Sequence, residues 1–228
     1  MLSRLFKKEF SNSLNSKKSY AQSGEDLIVK FIFEQLGIAK PSYLDIGAHH
    51  PFYLSNTALL YESGARGINI EPDPTLMAPF LKYRKEDINL NIGISDKDGQ
   101  SDFFIMNVKT LNTFSNSEAE QFSKEGNFFI QEVKTIPVKM IATVLNDLKL
   151  TRFPEFLTVD AEGLDNVIVN EINYENNFPL VICIETLSFS NSRRGVKNDE
   201  LIRFLISKNY FLYADTRINS IFVHHSVW

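Results

Sequence analysis

An α/β fold with a doubly wound sheet is what this sequence predicts, on three observations. Short apolar runs of strand length alternate along the chain with segments of helical period, the pattern of strands joined by crossover helices. One such run, Tyr43-Leu44-Asp45-Ile46, enters the small-residue turn Gly47-Ala48. A second run, Gly67-Ile68-Asn69-Ile70, stops at an acid. That acid, Glu71, comes 26 positions after Asp45 (71 − 45), where the end of the neighbouring parallel strand falls.

A polar stretch over 11–19, rich in Ser, Asn and Lys, precedes a helix whose apolar face is Leu27, Ile28, Phe31, Ile32 and Leu36. Ser23 with Glu25 and Asp26 reads as its cap and Gly37 as its stop. Residues 43–46 form a strand, residues around 56–62 a helix ending at Gly64, and 67–70 the next strand, a right-handed βαβ unit. Pro72, Pro74 and Pro79 punctuate the next stretch, with a short helix at 76–83 and a third strand over 88–94. Asp98-Gly99 marks a tight hairpin and 101–108 an antiparallel strand. Residues 109–127, polar with scattered phenylalanines and little period, read as a mobile flap. A strand at 136–140, a helix at 141–150, a buried strand at 155–160 and a helix at 164–172 come next. A buried strand at 180–185, a Ser/Asn/Arg loop, a helix at 199–208 and strands at 211–214 and 220–224 close the series. Neither repeat nor linker interrupts it, so the chain divides into an N-terminal extension (1–19) and one domain (20–228).

Composition narrows the function. A chain of 228 residues with 43% hydrophobic content suffices for one sizeable core. The 24 Lys and Arg against 28 Asp and Glu, a net charge of −4, give no general attraction for a polyanion, so no nucleic-acid partner is expected. The longest apolar runs, such as Leu180-Val181-Ile182-Cys183-Ile184, fall short of the ~20 residues of a spanning helix, and no stable membrane insertion is expected. The single cysteine, Cys183, sits in an apolar strand and reads as a small buried side chain in a reducing compartment. Met1 to Phe10 lacks the uninterrupted apolar stretch of a secretory signal, and a cytoplasmic location is the expectation. Arg4, Lys7 and Lys8 alternate there with Leu2, Leu5 and Phe6; a frayed or docked end is favoured over a turn that touches a membrane.

The turn after the first strand reads as a nucleotide cradle, because Gly47 and Ala48 put almost no side chain in the way of a ligand. A carboxylate at Glu71 can accept hydrogen bonds from both hydroxyls of a ribose. A dinucleotide needs its pyrophosphate laid across a Gly-x-Gly-x-x-Gly turn at a helix N-terminus. Here the turn continues His49-His50-Pro51-Phe52, poor room for a pyrophosphate. The amino-acid end of S-adenosylmethionine has no phosphate and suits it better, so this methyl donor is preferred to NAD. The competing reading is that Asp45 and Gly47 merely shape a turn.

Taken together, these segments resemble the FkbM-type S-adenosylmethionine-dependent methyltransferases from Tyr20 to about Val223. The resemblance rests on Gln22-Ser23-Gly24-Glu25-Asp26-Leu27, Asp45-Ile46-Gly47-Ala48-His49-His50-Pro51, Ser55-Asn56-Thr57, Asn69-Ile70-Glu71-Pro72 and Asp160-Ala161-Glu162-Gly163-Leu164-Asp165. It implies a class I methyltransferase (Rossmann-like) fold, with a mostly parallel seven-stranded sheet and helices on both faces. It also implies O-methylation of a hydroxyl on a sugar, glycoconjugate or secondary metabolite, with a small molecule or glycan as acceptor. Carried over, Asp45, Gly47 and Ala48 cradle the methionine end and Glu71 clamps the ribose. Asn91 or Ile92 lies by the adenine, and Asp160 stands at the mouth of the site. His49 and His50 stand where the fold's general pattern favours a second glycine.

Asp160 and Glu162 are one residue apart, so both carboxylates share a side if strand geometry persists. One of them, or His49, is then placed to take the proton of an attacking hydroxyl, a contribution of ~10²–10⁴-fold. The competing reading has Asp160 accepting backbone hydrogen bonds and Glu162 capping the next helix. Adjacent histidines on an extended backbone point apart and seldom share an ion; a magnesium on Asp160 and Glu162 is chemically open, but no essential metal is expected. His224 and His225 read as surface or edge-strand residues. Arg193 and Arg194 follow the strand ending at Glu185, where they either grip an anionic group of the acceptor or form a solvated loop. Thr113, with Asn112 and Phe114, sits in the flap over the acceptor. Two other functions compete: a non-catalytic nucleotide-binding or scaffold module of the same fold, and an NAD-dependent oxidoreductase, whose glycine turn is missing.

Overall fold

Strand burial decides the architecture. In the computed structural model, which describes residues 16–124, 126–161, 163–188 and 195–228, β1 (Tyr43–Ile46) and β7 (Phe156–Val159) are buried at every position. A strand buried on both sides must be covered on both sides. Alternate residues accordingly enter two cores. Leu44, Ile46, Leu157 and Val159 pack with α5 (Ile141–Asp147), α6 (Asp165–Asn170) and α7 (Asp199–Ser207). Tyr43 and Phe156 pack on the other face with α1 (Glu25–Gln35) and α2 (Ala58–Glu62). Cys183 is fully buried in that second core.

The main sheet has seven strands, in the order β3 (Ile88–Leu90), β2 (Gly67–Ile70), β1, β7, β8 (Val181–Glu185), β10 (Asn219–His224), β9 (Tyr210–Asp215). The first five run parallel, whereas β10 is antiparallel to both neighbours, so the sheet is mixed. A short turn lets β9 and β10 pair as a hairpin; parallel neighbours need a helical crossover. Because β10 is an interior strand, His224 is buried at 5% exposure, 4.3 Å from the Phe178 ring, which corrects its assignment to the surface or an edge; His225 is exposed.

Three other expectations change. The strand expected over 88–94 divides at Asn91 and Ile92: β3 stays in the main sheet, and β4 (Gly93–Ile94) joins a separate sheet of order β4-β6-β5. In that sheet β5 (Gly99–Met106) pairs antiparallel with the distant β6 (Ile130–Lys139), not with the strand before Asp98-Gly99. The Asp98 carboxylate instead accepts from Met140 N and Thr143 Oγ1 at the start of α5. Residues 109–127 hold a 3₁₀ turn (Lys109–Leu111) and α4 (Asn116–Lys124), whose Leu111, Ala119 and Phe122 form a small core with Met106. The segment in which the sequence shows little period thus carries two short helical elements. The spacing of Ala119 and Phe122 by three places both on one helical face. At the start of α1 the cap position is Gly24, with no side-chain cap, which corrects the assignment of Ser23; Glu25 reaches back to accept from Ser23 N. The N-terminal stretch over 1–15 lies outside the described residues.

Candidate functional site

Parallel strands all present their carboxyl ends to one edge, and the candidate site is that edge. Across the sheet, Glu71 follows β2, Gly47 follows β1, Asp160 follows β7, Glu185 ends β8 and Asn219 begins β10. They line a cavity of about 560 Å³, joined by His49, Asn56, Gly93, Ile94, Phe114 and others. A second cavity of about 420 Å³ shares Glu185, Leu187 and Ser188 with it and is otherwise walled by α4, the Gly163 turn and residues around Asn198.

At the glycine turn, Gly47 has φ 76, and a β-carbon there would lie 1.8 Å from the carbonyl oxygen of Asp160. The amides of Gly47 and Ala48 both donate to the carbonyl of Ile70 at 3.0 Å, so the turn offers a ligand close approach to bare backbone. Ala48 itself packs on Met77 and Phe80 of α3 (Pro74–Tyr83).

Asp45 is held from below. Thr57 Oγ1 donates to its Oδ2 at 2.6 Å, and Arg84 Nη1 donates to the same hydroxyl. The Arg84 side chain is fully buried and pairs with Asp87 at 2.9 Å. Burial pushes the Asp45 carboxyl up to about 6, against the pull of Arg84 and Thr57. Asn56 is fixed on the same side: its Nδ2 donates to Thr158 Oγ1 at 3.0 Å.

Glu71 accepts His49 N at 2.9 Å on one oxygen and Asp73 N at 2.7 Å on the other. Each oxygen keeps a lone pair for a further donor. Its carboxyl is pushed up to about 8, chiefly by burial. His49 lines the cavity at φ 55, and burial lowers its imidazole below the ordinary histidine value. His50 is spent locally, its Nδ1 accepting from Phe52 N at 3.1 Å.

Asn91 donates to the carbonyls of Glu71 and Pro72, bracing the loop behind the acid. Ile92 packs against the main core, and the residues of that stretch that line the cavity are Gly93 and Ile94. Thr113 also lines it, its hydroxyl donating to Glu118 Oε2 at 3.2 Å. Glu162, Arg193 and Arg194 lie outside the described residues.

Two acids to which the sequence assigned no role, Asp165 and Glu185, also stand here. Asp165 accepts from Ala161 N at 3.2 Å, and burial raises its carboxyl to about 6. Glu185 stands beside Asp160 on the cavity wall; desolvation drives both carboxyls upward, helped at Asp160 by the charges of Asp165 and Asp45 and at Glu185 by those of Asp160 and Asp165. The signal for Glu185 was present, since it is an acid closing an apolar strand, as Glu71 is. Lys109 was also missed; it lines the cavity and pairs with Asp73 at 2.9 Å. Among the described residues, no group of three or more His, Cys, Asp or Glu could hold a metal ion.

A family model described as the methyltransferase FkbM domain matches residues 45–212. Among solved structures, a methyltransferase FkbM from Methylobacillus flagellatus KT aligns over 82% of this chain and 44% of its own, with 13% identity and a TM-score of 0.49. The chain therefore spans less than half the length of that structure. No curated protein matches.

Proposed function

Because this chain belongs to the methyltransferase FkbM domain family, we propose that it moves the methyl group of S-adenosylmethionine onto a hydroxyl of a sugar, glycoconjugate or other small hydroxylated acceptor. The observation that carries this reading is the close packing of the Gly47 turn on the Asp160 backbone at the wall of a cavity that Asp45, Ala48 and Glu71 also line. That cavity wall suits a donor without phosphate groups, and Glu71 has lone pairs to spare for ribose hydroxyls.

When bound, S-adenosylmethionine supplies a methyl group activated by its sulfonium. The protein's own residues do the rest. Gly47 and Ala48 admit the methionine end, and Glu71 anchors the ribose. Gly93 and Ile94, with Phe114 packed over Gly93, wall the cavity beside Glu71. Asp160 takes the proton of the acceptor hydroxyl, which the second cavity delivers past Glu185. Holding oxygen and methyl carbon in line contributes the remainder of the rate. His49, kept neutral by burial, is the alternative base.

The reading extends to a cytoplasmic protein without a nucleic-acid partner, supported by the net charge of −4 and the buried Cys183. No helix among the described residues is long and apolar enough to cross a membrane.

Calorimetric titration with S-adenosylmethionine, S-adenosylhomocysteine and NAD in parallel tests the proposal. Binding of both adenosyl ligands and not NAD is expected. Binding of NAD alone would overturn it, and binding of none would favour a scaffold of the same fold.

A further inference from the structure

Strand register sets Asp160 and Glu185 against each other. β7 and β8 pair in parallel with Phe156 opposite Val181 and Val159 opposite Ile184, so the next residue of each, Asp160 and Glu185, meet at the carboxyl ends. Alternation puts Asp160 on the side of Phe156 and Thr158, and Glu185 on the side of Val181 and Cys183. Both line the main cavity. Register and a shared face bring the two carboxyl groups side by side at the cavity wall. Ionised carboxylates have only acceptor atoms, so a hydrogen bond between the two requires a proton held between them.

The charged groups around the pair are mostly acids. Asp45 approaches from β1, Asp165 from the start of α6 and Glu118 from α4. Among the other residues lining the cavity are His49, Lys109, which is bound to Asp73, and Arg217. Two adjacent carboxylates in such surroundings resist ionising together.

We propose that Glu185 is a positioning residue for methyl transfer: it holds one proton against Asp160, so that the two side chains act as a single proton acceptor of charge −1. This rests on the methyltransferase reading above. The acceptor oxygen bonds to the methyl carbon while that carbon's bond to sulfur breaks, leaving the electron pair on sulfur. The hydroxyl proton passes to the ionised oxygen of the pair. Sulfonium and pair thus lose their opposite charges together, and the pair ends neutral. A lone Asp160 would give up the donor that aims its carboxylate.

The test is a carbon-13 NMR titration of the full chain labelled at Asp and Glu carboxyls, with Glu185→Gln, Glu185→Ala and Asp160→Asn alongside. In the unsubstituted protein the Asp160 and Glu185 resonances are expected to move together through two separated ionisations. In Glu185→Gln, Asp160 should titrate in one step near the first of those two, because the amide supplies a permanent donor. In Glu185→Ala that step should move to higher pH. Independent single ionisations of Asp160 and Glu185 in the unsubstituted protein would overturn the proposal, whatever the variants do. Binding of S-adenosylhomocysteine, followed by calorimetry on the same samples, separates the two readings. Failure of the unsubstituted protein to bind sinks the methyltransferase reading, whereas independent titration with binding intact sinks only the shared proton.

Discussion

A β-carbon on Gly47 would sit 1.8 Å from the carbonyl oxygen of Asp160, so the turn after β1 and the acid after β7 are in backbone contact. The amide of Asp160 donates to the carbonyl of Ile46 at 3.0 Å and locks the two strand ends together. Gly47→Ala must therefore displace backbone as well as hold alanine at positive φ. The expected cost is about 2–4 kcal/mol in urea unfolding. Gly24, at φ 89 with nothing within 4 Å of a β-carbon, is the control. Gly24→Ala should cost only the left-handed strain, about 1–2 kcal/mol.

Glu71 should make the ligand-free protein less stable as pH rises. Its carboxyl stands near 8 in the fold against an ordinary 4.5. Between those values the folded protein keeps a proton that the unfolded chain has released, so the stability present below the lower value is lost as pH climbs towards the higher. The thermal midpoint of the unsubstituted protein should fall across this window more steeply than that of Glu71→Gln. Equal slopes would show that Glu71 does not titrate there. Glu71→Ala should also weaken S-adenosylhomocysteine binding by roughly tenfold or more, the worth of a charged hydrogen bond.

Arg84→Ala should be among the most destabilising single changes in the domain. The Arg84 guanidinium donates to Asp87, Thr57 and Tyr43, and neither the Arg84 nor the Asp87 side chain is exposed. Removing one partner of a buried pair leaves the other uncompensated, a loss of about 3–5 kcal/mol. The Lys139–Asp147 pair is shorter, at 2.6 Å, but stands on the surface. Lys139→Ala should leave the denaturation midpoint unchanged.

Lys109 ties the segment before α4 to Asp73, which also caps α3 through Thr75 N. The lysine is 37% exposed, so its global contribution is small, below about 1 kcal/mol. Lys109→Ala should instead speed limited proteolysis between Lys109 and Lys124 while the unfolding midpoint hardly moves. A large shift of the midpoint would show that this segment unfolds only with the whole domain.

Where the sequence misled, the reason was a partner out of its reach. Residues 88–94 alternate as one strand does, yet the chain turns away at Asn91, whose side chain is held by the carbonyls of Glu71 and Pro72. Nothing local shows that Gly93 will pair with Val138, 45 positions on (138 − 93). The segment 109–127 shows little period because its apolar residues are few. They suffice because Met106 and Phe122 are each buried in the same small core.

Local pattern along the chain was enough to set the parallel core of the sheet, its two buried faces and the positions of Asp45, Gly47, Glu71 and Asp160 at the strand ends. Those features come from period, from apolar runs and from small residues after a strand, all of which can be read within a few neighbouring residues. Folding was needed to bring Glu185 against Asp160, to bind Glu71 with two backbone amides, and to wall the site with α4 and its 3₁₀ turn. Those facts depend on register between strands and on burial. Both are set by residues far apart in the chain, and burial raises the carboxyls of Asp45 and Glu71 well above the ordinary range.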